Sequence, residues 1–504
     1  MNTARQRPLQ ILVLSSFTPG DASVIEDFLF SFRNYSRHRY YYVFNPGILG
    51  EAPDLSRFDV ILIFWSLYLL GPGLATSVKE KIRQADALKV LFRQDEYDSV
   101  RPFNAVMAEL GAQVMCTCVP EEDHETFYPR ALVPSLRAVY TVLTGYLPAS
   151  LERVPLRPRV GRPVDIGYRS RVMPYYLGDL AREKWVLADR FGRIGPAHGF
   201  RCDISVREED RLYGRQWVEF LNASRFALGS PSGASVVDFS GEIRRQTEAY
   251  LRAHPDASYA EARRRFFADV DGKVVIDTTS PRIFEAAACG SVLVLHEGRY
   301  GGLLVPDRHY IPVRKDYGNI DEVVRRMRDE ALCEELAANA HRDLVASGRY
   351  GYRAFGRWFD GMLTRHADGG TRRPRRFATA FYAKNYLHGD ERIVPFGSGF
   401  VVLPSRRLRW TIVRRLGPVV GFLIEDPVNF FEKGTLAAWI CLTSRPARRL
   451  ILGYLRDRTL RGTLRLHRLV EDLLKLRVVE EARRGRLRSR ERFEVSATFD
   501  RAGG

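Results

Sequence analysis

The chain has 504 residues, of which 45% are hydrophobic and 12% aromatic. Its length and composition favour about two to four packed domains and exclude a wholly disordered chain. The six cysteines are scattered without a Cys-x-x-Cys pair, which predicts a reducing compartment and argues against a disulfide framework. The longest apolar run, residues 60–70, is about half the length needed to span a bilayer. Because the polar start also lacks the pattern of a signal peptide, the sequence predicts a cytoplasmic protein.

The net charge of +18 is concentrated in the last quarter of the chain. Residues 371–504 hold 29 Lys and Arg against 13 Asp and Glu, whereas residues 1–370 hold 49 against 47. The basic character therefore belongs to the C-terminal part and says little about the partners of the first 370 residues.

Short apolar runs alternate with helical patterns through residues 1–150. Strands are predicted at residues 10–15, 40–44, 58–64, 89–92 and 113–118, and helices at residues 22–32, 77–86 and 102–110. This alternation predicts a doubly wound, Rossmann-like domain. No Gly-x-Gly-x-x-Gly follows the first strand, so no dinucleotide site is predicted here.

A carboxylate pair, Asp95 and Glu96, follows the fourth predicted strand, at the sheet edge where open α/β folds bind ligands. If the chemistry requires a hydroxyl group to lose its proton, one of the two is a candidate catalytic base. The alternative is a polar cluster that pairs with Arg93 or Arg101. The sequence leaves both alternatives open.

A linker rich in Pro and Arg, residues 151–163, precedes a second predicted α/β domain at residues 164–350. Its strands are predicted at residues 164–167, 203–206, 226–228, 274–276, 292–295 and 310–313. Helices are predicted at residues 177–191, 242–253, 259–268, 320–328 and 332–347, with a last aromatic helix at 352–364. The pattern again predicts a doubly wound domain.

Residues 280–298 hold the clearest helix signals, followed by a buried strand. Ser280 suits an N-cap, Pro281 the first helical position and Gly290 the C-cap. The charged residues of this otherwise apolar helix are Arg282 and Glu285, close to the end where helices bind anions. The alternative is a surface helix whose charges face water.

The segment Glu-Ala-Ala-Ala-Cys-Gly at residues 285–290, before a hydrophobic strand, resembles the donor-site helix of GT-B glycosyltransferases. The segments at residues 166–171, 228–235, 280–285 and 309–312 are similar, in the same order, to bacterial group 1-type glycosyltransferases. The resemblance spans roughly residues 8–365 and implies an α/β fold of two Rossmann-like doubly wound domains facing a cleft.

The resemblance also implies roles for parts of the chain. Residues 1–150 would bind the acceptor, residues 164–350 the nucleotide-sugar, and residues 351–367 would form a helix that crosses back to the N-terminal domain. Glu285 would hydrogen-bond the ribose. Asp277, where the family more often has Glu, would face the sugar as a catalytic residue.

Four cations of the second domain are candidates to stabilise a departing diphosphate: Arg169, Arg171, Lys184 and Arg282. Negative charge grows on the phosphate as the bond breaks, and preorganised cations stabilise that charge. Arg169 is ranked highest with Arg282, because arginine binds phosphate through two donors. The alternative is a set of solvated surface cations. We expect no metal and no cofactor, with the nucleotide-sugar as co-substrate.

The Ser/Gly loop at residues 229–235 reads as an ordinary turn from its residues alone. With the resemblance it becomes a donor-contact loop containing Ser232, Gly233 and Ser235. Asp238 either binds sugar hydroxyls or caps the helix that begins near residue 240. Two further donor contacts are predicted at Ser280 and His309, although a lone histidine is more often structural than catalytic.

Residues 368–376 form a second predicted linker, and residues 377–504 a mainly helical, basic extension of unknown role. Packing on the enzyme or a partner ranks first for this extension, and peripheral contact with the inner face of a membrane ranks second. Nucleic acid ranks third, because no nucleic-acid motif is present.

The resemblance thus implies a bacterial, metal-independent, hexosyltransferase-like enzyme of cell-envelope glycan synthesis. It would move a sugar from a nucleotide-sugar to a glycan, lipid-linked glycan, protein or small molecule with a hydroxyl. The alternatives are a catalytically inactive GT-B-fold binding or assembly protein, and a nucleotide-sugar epimerase. The sequence does not specify the sugar, the base, the acceptor, the stereochemistry or the oligomeric state.

Overall fold

The computed structural model describes residues 8–16, 23–43, 55, 58–71 and 74–367, and the backbone of three strands between residues 387 and 403. The chain divides into two compact units, Met1–Arg375 and Arg376–Gly504. Both α/β domains lie in the first unit.

The first domain is built on a parallel sheet with strand order β2-β1-β3-β4-β5-β6. The apolar runs of β3 and β4 are buried along their whole length, as expected for parallel strands covered by helices on both faces. Its elements are β1 (Gln10–Leu14), α1 (Ser23–Tyr35), β2 (Arg39–Val43), β3 (Val60–Ile63), α2 (Thr76–Gln84), β4 (Leu88–Phe92), α3 (Val100–Leu110), β5 (Val114–Thr117), α4 (His124–Phe127) and β6 (Ala138–Thr141).

The second domain has a parallel sheet with order β8-β7-β9-β12-β13, and a separate antiparallel ladder of β10 and β11. Its elements are β7 (Val164–Arg169), α5 (Gly178–Ala197), β8 (Cys202–Ser205), α6 (Gly214–Ala223), β9 (Ser224–Gly229), β10 (Ser232–Ala234), α7 (Glu242–Ala253), α8 (Tyr259–Phe266), β11 (Ile276–Thr278), α9 (Pro281–Ala288), β12 (Val292–His296), β13 (Tyr310–Val313), α10 (Ile320–Arg328), α11 (Glu330–Ala340), a π-helical turn (His341–Ala346) and α12 (Tyr352–His366).

The predicted fold class, two doubly wound α/β domains that face a cleft, is confirmed for the described residues. Three local predictions were incomplete. The elements α4, β6, α6 and β10 were not predicted from the sequence. The predicted strand at 274–276 is not part of the second sheet, because β11 pairs with β10 instead. The predicted helix at 332–347 is α11 followed by the π-helical turn.

The last helix, α12, packs on α1 of the first domain. The Phe28 and Phe355 rings are 5.0 Å apart, and the Phe32 and Phe359 rings are 4.9 Å apart. The backbone N–H of Arg37 donates to Asp360 Oδ2 at 2.9 Å. The chain therefore returns to the first domain after completing the second.

The two domains also touch beside the cleft. Thr144 Oγ1 donates to the carbonyl of Thr279 at 2.9 Å, and a Cβ on Gly145 would lie 2.7 Å from Pro281 Cγ. These contacts bring the first domain against the start of α9.

A second contact is made by the region before α7. The backbone N–H of Asp238 donates to the carbonyl of Tyr97 at 2.7 Å, and Arg244 forms an ion pair with Asp98 at 2.7 Å. Both contact regions adjoin the cleft, because Tyr97 and Thr144 line it.

In the second unit, the described backbone is an antiparallel run of β14 (Leu387–His388), β15 (Glu391–Phe396) and β16 (Gly399–Leu403). The extension was predicted to be mainly helical, so these strands differ from that expectation, and its other residues lie outside the described ones. Among the described residues, no helix has the length and apolar character to cross a membrane.

Candidate functional site

A cleft of about 380 Å³ lies between the two domains. The first domain contributes the loop after β4, and the second contributes the loops after β7 and β9. In the second sheet, β7 and β9 are the neighbours at which the strand order reverses. Open α/β sheets bind ligands at such a point, outside the carboxyl ends of the strands.

Three cations line the cleft from different elements. Arg171 lies two residues after β7, Lys184 lies on α5, and Arg282 lies in the first turn of α9. None of them forms an ion pair with a carboxylate of the described residues, although many other arginines of this domain do. Burial, and then the charges of Arg282 and Arg171, lower the pKa of Lys184 to about 8. The cleft therefore holds an excess of positive charge that an anionic ligand would neutralise.

Arg282 is held in place by two contacts, neither of which is with a carboxylate. Its Nη1 donates to the carbonyl of Arg169 at 2.6 Å, and its guanidinium carbon lies 5.4 Å from the centre of the Trp217 ring. The guanidinium is thus preorganised at the carboxyl end of β7.

Arg169 differs from the other three predicted cations, because its guanidinium N–H groups donate hydrogen bonds to other residues of the second domain. Its Nη2 pairs with Asp203 Oδ1 at 2.7 Å, and Nη1 and Nε donate to the carbonyls of Asp203 and Asp210. Its guanidinium also covers the Phe220 ring at 4.4 Å. Arg169 lines the cleft, but these partners leave it a structural support rather than a free phosphate contact.

The helix signals of residues 280–290 are confirmed. The Ser280 hydroxyl accepts from the N–H of Arg282, and Pro281 begins α9. Gly290 has a φ of 66°, the left-handed conformation expected after a helix end. Its apolar residues, Ile283 and Phe284 among them, are buried, whereas Arg282 is exposed and Glu285 is half-buried.

Glu285, one turn into α9, accepts a hydrogen bond from Trp217 Nε1 at 2.7 Å. Burial raises its pKa, against the lowering effect of that bond and of the Arg282 charge. A smaller recess of about 250 Å³, which shares Arg282 with the cleft, is lined by Glu285, Trp217 and Arg211. Glu285, the residue predicted to bind the ribose, therefore lies beside Arg282.

Of the three residues predicted in the Ser/Gly loop, two line the cleft and one does not. Ser232 and Gly233 belong to β10 and line the cleft. Gly233 has a φ of 114°, and a Cβ there would overlap the carbonyl oxygen of Ile276, so only glycine fits. Ser235 is elsewhere: it accepts from the N–H of Leu180 and donates to Asp271 at 2.6 Å.

Asp277 lies on β11 between Ile276 and Thr278, which both line the cleft. Successive side chains of a strand point to opposite faces, and the Asp277 carboxylate accepts from the N–H groups of Arg299 and Tyr300 at 2.9 and 3.0 Å. Burial raises its pKa. The structure does not bring the predicted sugar-facing residue into the cleft.

For Asp238, the structure favours the capping alternative over the sugar-binding one. The side chain is 2% exposed. Its Oδ1 accepts from the N–H of Gly241 and its Oδ2 from the N–H of Arg244, both at 2.8 Å. These are donors of the first turn of α7, which lack partners within the helix.

We expect Asp238→Ala to lower the free energy of unfolding by about 2 kcal/mol, because it removes the acceptors of two partly buried N–H groups at the start of α7. Affinity for the nucleotide-sugar should stay within about twofold of the wild type at temperatures where both proteins are folded. Chemical denaturation and calorimetric titration measure the two quantities. A large loss of affinity without a loss of stability would restore the sugar-binding alternative.

The two neighbouring carboxylates, Asp95 and Glu96, separate in the structure. Asp95 is exposed in the cleft with a φ of 61°, a conformation that Asp tolerates better than most residues. Glu96 is 1% exposed, and its Oε1 accepts from Thr117 Oγ1 at 2.6 Å and from the N–H of Cys118 at 2.8 Å. Burial raises the pKa of Glu96. Both residues line the cleft, but of the pair only Asp95 is exposed there.

His309 lies outside the cleft. It is buried, its Nδ1 accepts from the N–H of Val305 at 3.1 Å, and its Nε2 donates to Asp343 at 3.1 Å. That hydrogen bond, with the Arg308 charge, holds the pKa of Asp343 at about 2. The structure therefore gives His309 a structural role and does not join it to the other predicted donor residues.

Sequence reasoning missed Trp217 and Arg211, which line the cleft from α6 and the loop before it. The spacing of Trp217, Phe220 and Leu221 is an i, i+3, i+4 pattern, the signal by which the helix could have been found. Within the described part of the chain, no group of three His, Cys, Asp or Glu side chains is arranged to hold a metal ion.

No curated protein matches the chain in sequence. HepE from Anabaena, solved with UDP and glucose, is 13% identical over 71% of this chain and 100% of its own, with a TM-score of 0.36. BGT of phage T4, solved with its UDP-glucose substrate, is 11% identical over 71% and 100%, with a TM-score of 0.40. A glycosyltransferase from Rickettsia africae is 8% identical over 72% and 100%, with a TM-score of 0.43.

A family match covers the second domain directly. Residues 179–355 match the family described as glycosyl transferase-like. This range contains Lys184, Trp217, Gly233, Arg282 and Glu285, so the match and the cleft concern the same part of the chain. Residues 179–355, about a third of the chain, are therefore similar to the glycosyl transferase-like family.

Proposed function

We propose that this protein is a glycosyltransferase that binds a nucleoside diphosphate sugar in the cleft between its two α/β domains. The observation that carries the proposal is the cluster of Arg171, Lys184 and Arg282, three cations that line one cleft without carboxylate partners among the described residues. Burial, and then the charges of Arg282 and Arg171, lower the pKa of Lys184, while Asp95 raises it. A purely structural cluster would be expected to pair its cations with carboxylates.

The chemistry of glycosyl transfer accounts for such a cluster. When the bond between the sugar and the diphosphate breaks, negative charge accumulates on the diphosphate oxygens, and fixed cations stabilise that charge more than they stabilise the ground state. Because these cations can perform this task, we propose transfer without a catalytic metal. The resemblance to hexosyltransferases supports a hexose as the transferred sugar.

The remaining parts of the donor follow from what surrounds the cluster. Glu285, with one oxygen held by Trp217, would accept hydrogen bonds from the ribose hydroxyls. Ser232 and the glycine at 233 allow close approach of the sugar or phosphate. Asp95, on the first-domain side, would take the proton of an acceptor hydroxyl, so the proposal assigns this role to Asp95 and not to Glu96.

Thermal stabilisation by UDP, GDP, ADP, CDP and their glucose conjugates tests the donor site, with and without EDTA. A nucleotide present at 100 times its dissociation constant should add about 2.7 kcal/mol of stability. We expect one nucleotide to stabilise the protein irrespective of EDTA, and the corresponding sugar conjugate to be consumed when an acceptor is supplied. If none of these compounds stabilises the protein, the proposal is wrong.

The same assay separates the alternatives. Binding of a nucleotide-sugar without its turnover by any acceptor would favour a binding or assembly protein. Conversion of the donor without an acceptor would favour an epimerase. The bacterial cell-envelope acceptor, the cytoplasmic location and the membrane contact of residues 377–504 stay predictions.

A further inference from the structure

Trp217 is the side chain that joins the two charged residues of α9. It lies on α6, which packs against α9. Its indole N–H donates to Glu285 Oε2 at 2.7 Å, while the face of its ring lies 5.4 Å from the guanidinium carbon of Arg282. One side chain therefore contacts both a carboxylate and a cation of the donor site.

Trp217 is itself fixed by a stack of alternating rings and guanidinium groups. Its ring stacks on Phe220 with centroids 5.6 Å apart and an angle of 24°. Phe220 carries Arg169 on its ring at 4.4 Å, and the Arg169 carbonyl accepts the hydrogen bond of Arg282. These contacts form a closed ring, because Arg282 in turn lies over Trp217. The end of β7 and α6 together therefore set the position of Trp217.

Resting on the proposed function, we infer that Trp217 is a positioning residue of the donor site, which holds one oxygen of Glu285 so that the other oxygen faces the ribose of a nucleoside diphosphate. Among the described residues, Trp217 is the hydrogen-bond donor to the Glu285 carboxylate. A carboxylate with one oxygen fixed presents its second oxygen in a defined direction, which lowers the entropy cost of ligand binding.

The charge of Glu285 depends on several neighbours. Burial disfavours the carboxylate, and the Trp217 hydrogen bond and the Arg282 charge favour it. The other titratable groups that face it are Asp27 on α1, Tyr352 on α12, and Cys289 at the end of α9. Loss of the indole donor therefore raises the pKa of Glu285 and brings its protonation closer to neutral pH.

Trp217→Phe tests the inference, because phenylalanine keeps an aromatic ring for Phe220 and Arg282 but lacks the N–H. Calorimetric titration uses whichever of UDP, GDP, ADP and CDP binds the wild type most tightly, between pH 5.5 and 8. We expect affinity at pH 7 to fall about tenfold, as for loss of a hydrogen bond to a charged group. The decline of affinity on acidification should begin at a higher pH than in the wild type.

Two further variants make the result specific. In Glu285→Gln, the acid decline should disappear, and adding Trp217→Phe should change affinity less than twofold, because the charged partner is gone. Trp65→Phe is the matched control, since its buried indole N–H has no hydrogen-bond partner in the described structure, and it should bind as the wild type does. An unchanged acid decline in Trp217→Phe, or a tenfold loss that persists with Glu285→Gln, would overturn the inference.

A measurement without nucleotide separates this inference from the proposed function. In protein labelled with ¹⁵N at indole nitrogens, the Trp217 N–H signal should move with pH in the wild type and stay fixed in Glu285→Gln. If that signal titrates but no nucleotide binds, the contact is real and the proposed function is wrong. If the signal does not titrate in a wild type that binds nucleotide, the positioning role is wrong.

Discussion

Lys184→Met is expected to weaken nucleoside diphosphate binding by about 10–100-fold at pH 7, as for loss of a charge-assisted hydrogen bond of about 1.5–3 kcal/mol. Lys184 contributes one of the three cations of the cleft. The bound diphosphate would keep Arg171 and Arg282 as partners, so binding should be weakened rather than abolished. Calorimetric titration with the nucleotide found in the stabilisation assay measures the change.

Nucleotide affinity should fall at alkaline pH, because Lys184 loses its charge there. The pKa of Lys184 is about 8, so the ammonium is present at pH 7 and is lost as the pH rises above about 8. Wild-type affinity for the nucleotide should therefore decline between pH 8 and 10, while the lower affinity of Lys184→Met should stay nearly constant over the same range. Wild-type affinity that is flat to pH 10 would contradict a role for this ammonium.

Stability should move in the opposite direction from binding. Since folding lowers the pKa of Lys184 from its ordinary value of 10.5, the charged lysine destabilises the folded protein. This cost is fully present below pH 8 and diminishes as the pH rises towards 10.5. At pH 7, Lys184→Met should thus melt at the same temperature as the wild type or higher.

The control for Lys184→Met removes a positive charge from another part of α5. Arg193 is exposed and pairs with Asp189 on the same helix, an arrangement that contributes little to stability. Arg193→Met should leave nucleotide affinity within about twofold of the wild type. An equal loss of affinity in both variants would mean that net charge, and not the cleft, governs binding.

Asp95→Asn is expected to lower kcat by about 10²–10⁴-fold with little change in the KM for the donor, because a catalytic base acts in the chemical step and not in donor binding. Asp95 is the exposed carboxylate of the first domain in the cleft. Steady-state kinetics with a fixed acceptor measure both constants. A base of this kind also predicts a product with inverted configuration at the sugar carbon, which NMR of the product detects.

Glu96→Gln is the matched control for Asp95→Asn, since the residues are adjacent and each change replaces a carboxylate by its amide. The Glu96 carboxylate is buried and binds Thr117 and the N–H of Cys118, so its replacement should affect stability and leave kcat within about threefold. A retained product configuration, or a normal kcat in Asp95→Asn, would contradict the role of Asp95.

The alternation of strands and helices, and the whole of α9, could be predicted from the sequence alone because their signals are local. The start and end of α9 are marked by residues next to the helix itself: Ser280, Pro281 and Gly290. The apolar run of β12 predicts its burial without reference to distant residues. The cations Arg171, Lys184 and Arg282 could be named for the same reason, since the ends of parallel strands and the starts of helices meet at one edge of the sheet.

Only the tertiary structure decided which of the candidate residues are free to bind a ligand. Arg169 is paired with Asp203, Glu96 with Thr117, and His309 with Asp343. Each partner lies between 21 and 34 residues away in the chain. Local patterns report where a side chain sits along an element, but a hydrogen bond forms between groups that folding brings together, so a residue and its partner give no joint signal in the sequence.

The contact between Trp217 and Glu285 is another that local sequence patterns could not predict. The two residues are 68 positions apart, and α6 was not predicted at all. The sequence by itself determined two α/β domains and a basic, glycine-containing ligand edge, because short-range periodicity and helix ends encode them. The tertiary structure decided that Glu285 is held by an indole, that Asp238 caps a helix and that Asp95 is exposed in the cleft. The distances between side chains far apart in the sequence are fixed only by packing.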